Sequence, residues 1–155
     1  MKVVFVLAAF CLVLVSSTKP LVKQPASISC TIDFSCDRSN YDVTDLTCSF
    51  SPDPPQKGQN VTVTDTGVVH KEITGGKVMV LVKYNTYIKL IDKTYETCEF
   101  LEMFGEHCPV SPGPHTVVIT DKVPSDLPGG KYNGILHGTD QDDMPMICGT
   151  FVCYV

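Results

Sequence analysis

Cys98 and Cys108 enclose a nine-residue stretch, in "CEFLEMFGEHC", where large apolar side chains stand beside acids. Zinc would want ligands about two residues apart and a second pair, whereas the nearest further ligand, His107, adjoins Cys108. Redox motifs also need a shorter separation. The spacing therefore predicts a local disulfide, Cys98–Cys108, worth ~2 to 3 kcal/mol. Inside it Phe100, Met103 and Phe104 fall at i, i+3, i+4, with Glu99, Glu102 and Glu106 on the other side. One amphipathic helical turn is expected, its apolar face covering something.

Other reactive types give no constellation. His70, His107, His115 and His137 have no ligand spacing and no GxSxG serine or comparable nucleophile to serve. No catalytic residues, metal or cofactor are predicted, and the chain reads as a non-enzyme. Asp140, Asp142 and Asp143 lack the glycine and distal glutamate of a calcium loop and read as a solvated turn. Tyr84, Tyr87 and Tyr132 read as strand-packing residues. Asn60, in "NVT", is a glycosylation acceptor in a secreted chain.

Secretion is implied by the opening "MKVVFVLAAFCLVLVSST", one lysine and an apolar run too short for a membrane span. Residues 1–18 are read as a cleaved signal peptide. Cys11 leaves with it, and Cys30, Cys36, Cys48, Cys98, Cys108, Cys148 and Cys153 mature in an oxidising lumen, where disulfides are the default. Without Lys2 there are 11 Lys and Arg against 17 Asp and Glu, a charge of −6 with neutral histidines. No basic cluster invites nucleic acid.

Val-, Ile-, Thr- and Tyr-rich runs at 41–50, 59–69, 77–94 (one hairpin), 115–123, 131–139 and 146–155 alternate with turn-formers such as "SPDPPQKGQ", "TGGK" and "PSDLPGG". About seven such strands predict an all-β, immunoglobulin-like two-sheet sandwich. In an unbroken last strand Cys148 and Cys153 face opposite sides, roughly 16 Å apart, and cannot bond each other. Their partners are to be found among Cys30, Cys36 and Cys48. One of these bridges would tie an N-terminal strand to the last, a closure worth ~4 to 5 kcal/mol.

"SPDPPQKGQNVTV", "GGKVMVLVKYNTYIKLI", "CEFLEMFGEHCPVSPG", "VPSDLPGGKYNGILHG" and a terminal "MIC" strand, in that order, resemble the ML lipid-recognition domain. That family takes in the soluble Niemann–Pick type C sterol-transfer protein, the fungal phosphatidylglycerol/phosphatidylinositol transfer proteins and the mite group 2 allergens. The likeness covers 36–155, leaving 19–35 as an N-terminal extension.

The resemblance implies a disulfide-stapled sandwich whose sheets splay around an apolar cavity, with a sterol or glycerophospholipid as ligand and only transient contact with membrane surfaces. By position it assigns Leu90, Val123 and Leu127 to the cavity mouth, and the apolar face of the flap, Phe100, Met103 and Phe104, completes the expected lipid-binding set. It maps the family's first-to-last disulfide onto Cys36–Cys148. Cys30–Cys153 would be an extra bridge outside it, leaving Cys48 out of the three pairs. Leu127 stands where the sterol carrier has an aromatic, and "YIKLIDKTYET" replaces that carrier's proline-rich run, departures that lean toward a phospholipid. The expected protein is a monomeric, secreted or endosomal, lysosomal or vacuolar lumenal carrier. The alternative is a secreted β-sandwich that recognises a protein partner without a transferable lipid.

Overall fold

The computed structural model describes residues 27–34 and 40–155; the expected signal peptide and Cys36 lie outside these residues. Two antiparallel sheets face each other. One has five strands in the order β1-β8-β7-β4-β5: β1 (Ser29–Asp33), β4 (Lys77–Tyr84), β5 (Ile88–Glu96), β7 (Lys131–Thr139) and β8 (Pro145–Tyr154). The other has three, β2 (Val43–Ser51), β3 (Asn60–Val69) and β6 (Gly113–Lys122), in the order β2-β3-β6. Among the described residues one short helix, α1 (Thr97–Glu102), follows β5.

Strict alternation builds the interior. Val78, Val80 and Val82 of β4 are buried, as are Val61, Val63 and Val69 of β3, while the residues between them look outward or are half-exposed. β-branched side chains at period two suit a pleated surface with one dry face. Register aligns the layers: Val78, Val80, Val82 and Tyr84 stand opposite Gly138, Leu136, Gly134 and Tyr132 of β7. Gly134 is required here, because a Cβ would overlap the Phe151 ring of β8 and lie 2.6 Å from the Leu81 carbonyl oxygen of β4.

The run expected at 77–94 is the β4–β5 hairpin, and β1 is an eighth strand. β1 is too short to announce itself and is held in the sheet by β8, where Cys30 opposes Cys153 and bonds to it. Cys98 and Cys108 are also joined. Cys148 is disulfide-bonded, while its expected partner Cys36 lies outside the described residues. Asn60 is exposed at the start of β3.

Two expectations are corrected. The turn after β7 is not simply solvated: Asp140 is 1% exposed and accepts the N–H groups of Asp142 and Met144, each at 2.8 Å. Its other oxygen meets the Lys71 ammonium, which also binds Asp142 at 2.6 Å. A buried carboxylate is tolerable because both of its oxygens have partners. Secondly, Tyr87 packs against no strand; at the β4–β5 turn it is 89% exposed.

Candidate functional site: two apolar cavities between the sheets

The sheets do not seal against each other along their length. At the end built by the last residues of β4, β6 and β8 lies a cavity of about 450 Å³. It is lined by inward side chains of β3 (Val61), β4 (Val82), β8 (Phe151, Cys153) and β5 (Ile91), bordered by Leu90 of β5, and closed above by Val123 and Leu127 of the β6–β7 loop. Leu90, Val123 and Leu127, assigned to one mouth from the sequence, thus do come together. Leu90 is at the rim, 44% exposed, because the β4–β5 register shifts beyond Val82 and turns an extra residue outward. Val123 is buried, its N–H bonded to Gln59 O at 2.9 Å and its carbonyl accepting from Gly58 N at 2.8 Å.

Two tyrosines complete the wall. The Tyr84 and Tyr132 ring centroids are 5.0 Å apart, and their hydroxyls donate to Gly129 O (2.8 Å) and Pro128 O (3.0 Å). With the polar tips satisfied by the loop, the rings offer apolar area. Asp121, Lys122 and Asp126 are the charged residues of the lining.

The second cavity, about 180 Å³, occupies the opposite end, beneath the Cys98–Cys108 loop. Here α1 forms although no side chain caps its N-terminus. Instead Thr97, fully buried, donates its N–H to Gly76 O at 2.9 Å, and Phe100 packs against Tyr95 (5.6 Å between centroids) and Phe104 (5.0 Å). Beyond the loop, Val110 and Ile73 exchange both backbone hydrogen bonds, at 2.9 and 3.0 Å. The flap is therefore fixed by packing and by the ladder as well as by its disulfide.

Phe100 and Phe104 line this cavity as an apolar face should; Met103 does not, being 39% exposed, and Leu101 lines it instead. Leu101 and Phe104 are themselves at i, i+3, a signal hidden by counting from Phe100. Glu106, expected on the water side, also borders this cavity, its carboxylate 3.7 Å from His115 Nδ1, while His115 Nε2 donates to Ser111 O at 2.8 Å.

The six expected lipid-contacting residues thus fall into two groups, three around the larger cavity, two around the smaller and one outside both. A layer one residue thick divides the cavities. Along β4, Val78 borders the smaller and Val82 the larger, and Val80 neither; along β3 the same holds for Asp65, Val61 and Val63. Val63 and Val80, 2% and 1% exposed, are the centre of that partition.

Asp65 is the inward acid that the sequence reading missed. It stands opposite Cys48 in the β2–β3 ladder and borders the smaller cavity. Burial pushes its carboxyl above the usual carboxylate range, and a hydrogen bond with the Cys48 thiol partly opposes that rise. Among the described residues no three His, Cys, Asp or Glu side chains gather as metal ligands. What this interior can do chemically is to take up apolar matter.

A family model described as the ML domain matches residues 17–155. A phosphatidylglycerol/phosphatidylinositol transfer protein of Kluyveromyces lactis is 33% identical over 138 residues, which are 87% of this chain and 77% of that protein. A putative phosphatidylglycerol/phosphatidylinositol transfer protein of Dictyostelium discoideum is 36% identical over 99 residues, 64% of this chain and 68% of that one. Among solved structures, chicken MD-1 complexed with lipid IVa superposes with a TM-score of 0.52 at 13% identity, over 81% of this chain and 98% of that chain, a likeness of fold.

Proposed function

Since this chain belongs to the ML domain family, we propose that it is a lipid-binding and lipid-transfer protein which carries a glycerophospholipid of the phosphatidylglycerol or phosphatidylinositol class. The single observation that carries this reading is the 450 Å³ cavity between the sheets, walled by Val61, Val82, Phe151 and the two tyrosine rings and rimmed by Leu90 and Leu127. A fold that leaves so much interior apolar surface unpacked forgoes stability that close packing would supply. An acyl chain restores it: burying ~400 Å² contributes on the order of 10 kcal/mol gross, before the costs of association. The headgroup class is taken from the relatives named above, and Asp121, Lys122 and Asp126 are the polar groups placed to meet it.

The same reading makes Leu90, Val123 and Leu127 lipid contacts of the larger cavity, while Phe100 and Phe104 wall the smaller one, which a chain confined to the larger does not reach. Binding and release need no nucleophile, so no catalytic step is assigned. The protein works as a monomer in an oxidising setting, secreted or lumenal, where its disulfides persist. The exposed Asn60 carries a glycan there, residues 1–18 having been removed.

Delipidated protein offered fluorescent phosphatidylinositol and fluorescent sterol in parallel tests the proposal. Saturable uptake of the phospholipid supports it; preference for sterol corrects the ligand class. Uptake of neither by folded protein defeats the carrier reading and leaves the outer surface as the working part.

A further inference from the structure

The β4–β5 hairpin carries a feature that lipid storage does not use. Its tip is fixed in place: Asn85 donates its N–H to Lys131 O at 2.7 Å and accepts from Lys131 N at 3.1 Å, and Tyr84 is tied to Gly129. A Cβ at Gly130, where φ is 146°, would lie 2.7 Å from the Tyr84 ring, so this close anchoring requires glycine. Asn85 and Thr86 both turn through positive φ, 47° and 72°. The strained, anchored turn then presents Tyr87 and Ile88, 89% and 54% exposed, beside Leu90 at the rim of the larger cavity. Neither Tyr87 nor Ile88 lines that cavity.

Charge singles out the same segment. The chain as a whole bears −5, yet the rim end of the hairpin, residues 83–91, holds Lys83 and Lys89 and no acid; Lys89 pairs with Asp92 at 2.5 Å just beyond it, and Lys83 is in no ion pair among the described residues. Across the mouth, Asp121 and Asp126 stand beside Lys122, so the hairpin is the cationic side of the rim. A tyrosine and an isoleucine held out of the fold, with lysines set back along the strands, match an anionic bilayer surface: the aromatic ring sits among headgroups, the aliphatic chain below them, and the ammonium groups meet phosphate.

Resting on the carrier reading, we infer that the β4–β5 hairpin is the element by which this protein docks on anionic membranes, seating Tyr87 and Ile88 in the headgroup layer so that the larger cavity opens onto the lipid it exchanges.

Full-length protein carrying Tyr87→Ser and Ile88→Ser, and separately Lys83→Glu and Lys89→Glu, would be floated with vesicles of phosphatidylcholine, with and without phosphatidylglycerol. Saturable uptake of fluorescent phosphatidylinositol from dilute monomer would be measured alongside. The serine variant is expected to lose roughly tenfold or more in vesicle-bound fraction on both vesicle types, and to slow in transfer, with unchanged lipid capacity. The glutamate variant should lose binding only where phosphatidylglycerol is present, and salt should mimic it. Full vesicle binding by the serine variant overturns the inference. Loss of its lipid capacity does so too, since that would put these side chains in the cavity. A dimer of the wild type abolished by the same serines would assign the patch to a second copy and overturn it likewise. Wild-type protein that docks through the hairpin but takes up no lipid would defeat the carrier reading while the docking surface stands.

Discussion

The Asp65 carboxyl and the Cys48 thiol face each other across the β2–β3 ladder and share a hydrogen bond on the side that borders the smaller cavity. A carboxyl so placed holds its proton to higher pH than an ordinary one. Burial raises its pKa more than the thiol lowers it. Its contribution to stability is therefore fully present below the unfolded-state value near 3.8 and is lost as pH rises through the higher folded value. Asp65→Asn keeps the shape and removes the ionisation. Thermal unfolding at pH 7 should show the variant more stable than the wild type, with the gap closing toward about pH 4. A gap that instead widened in acid would show that the carboxylate, not the acid, is the form the fold prefers.

Cys30 and Cys153 close a loop of 123 residues through β1 and β8. In the chain-entropy description such a closure stabilises by about 4 to 5 kcal/mol, because the unfolded chain loses so much freedom. The double substitution Cys30→Ser, Cys153→Ser should lower the urea midpoint accordingly and expose β1 to early amide exchange. The short Cys98–Cys108 loop, 10 residues apart, should matter less to global unfolding, by about 2 kcal/mol. Equal effects would mean that native packing rather than chain entropy governs both bridges.

Val-, Ile-, Thr- and Tyr-rich runs set between turn-formers made seven of the eight described strands readable, whether a strand has a dry face, as β4 does, or is exposed along most of its length, as β5 is. β1 was not, since its alternation runs over only five residues and it is held in the sheet by pairing with β8. Leu90, Val123 and Leu127 were identified from motif position, and they meet because the β6–β7 loop folds back over the end of the sandwich. The smaller cavity and Asp65 escaped notice for a different reason. A cavity is a property of what fails to touch between two sheets, and which inward residues fail to touch depends on sheet twist and separation that no single strand encodes. Asp140 was misread because a run of acids in a turn looks solvated until Lys71, 69 residues away, is placed against it.

That Asp140–Lys71 pair predicts an acid limb. Burial alone would raise the Asp140 carboxyl, but the Lys71 ammonium and the N–H groups of Met144 and Asp142 outweigh it and hold it at about 2. The stability it supplies is therefore present above the unfolded value of 3.8 and lost as pH falls through about 2. Lys71 is raised by the same partners, Asp140 first, so its share of that stability is fully present below the unfolded value of 10.5 and is lost as pH rises above it. Asp140→Asn retains an acceptor for the two N–H groups and deletes the charge. Its melting temperature should fall by several degrees at pH 7, and the deficit should disappear in titrations from about pH 4 down to about pH 2. A deficit constant over that range would assign the effect to packing.

Val63 and Val80 define the last test, because among the inward-facing residues at the centre of β3 and β4 they alone border neither cavity. Val78 and Val82, on either side of the partition, are about 13 Å apart along the strand, so a chain confined to the larger cavity must be shorter than one that could run the whole interior. Val80→Ala should thin the partition and admit longer acyl chains, at a cost of about 1 to 3 kcal/mol in stability that the disulfides can absorb. Native mass spectrometry of lipid taken up from a mixed-chain pool should show the distribution moving to longer chains. Phe104→Asp, which puts a charge on the wall of the smaller cavity, should leave wild-type chain preference almost untouched. In the Val80→Ala background the same substitution should cancel the shift, since the extra length would now meet an unpaired carboxylate. If Phe104→Asp impaired uptake in the wild type as strongly as Leu127→Asp, the partition would be open during binding and the two cavities would form one site.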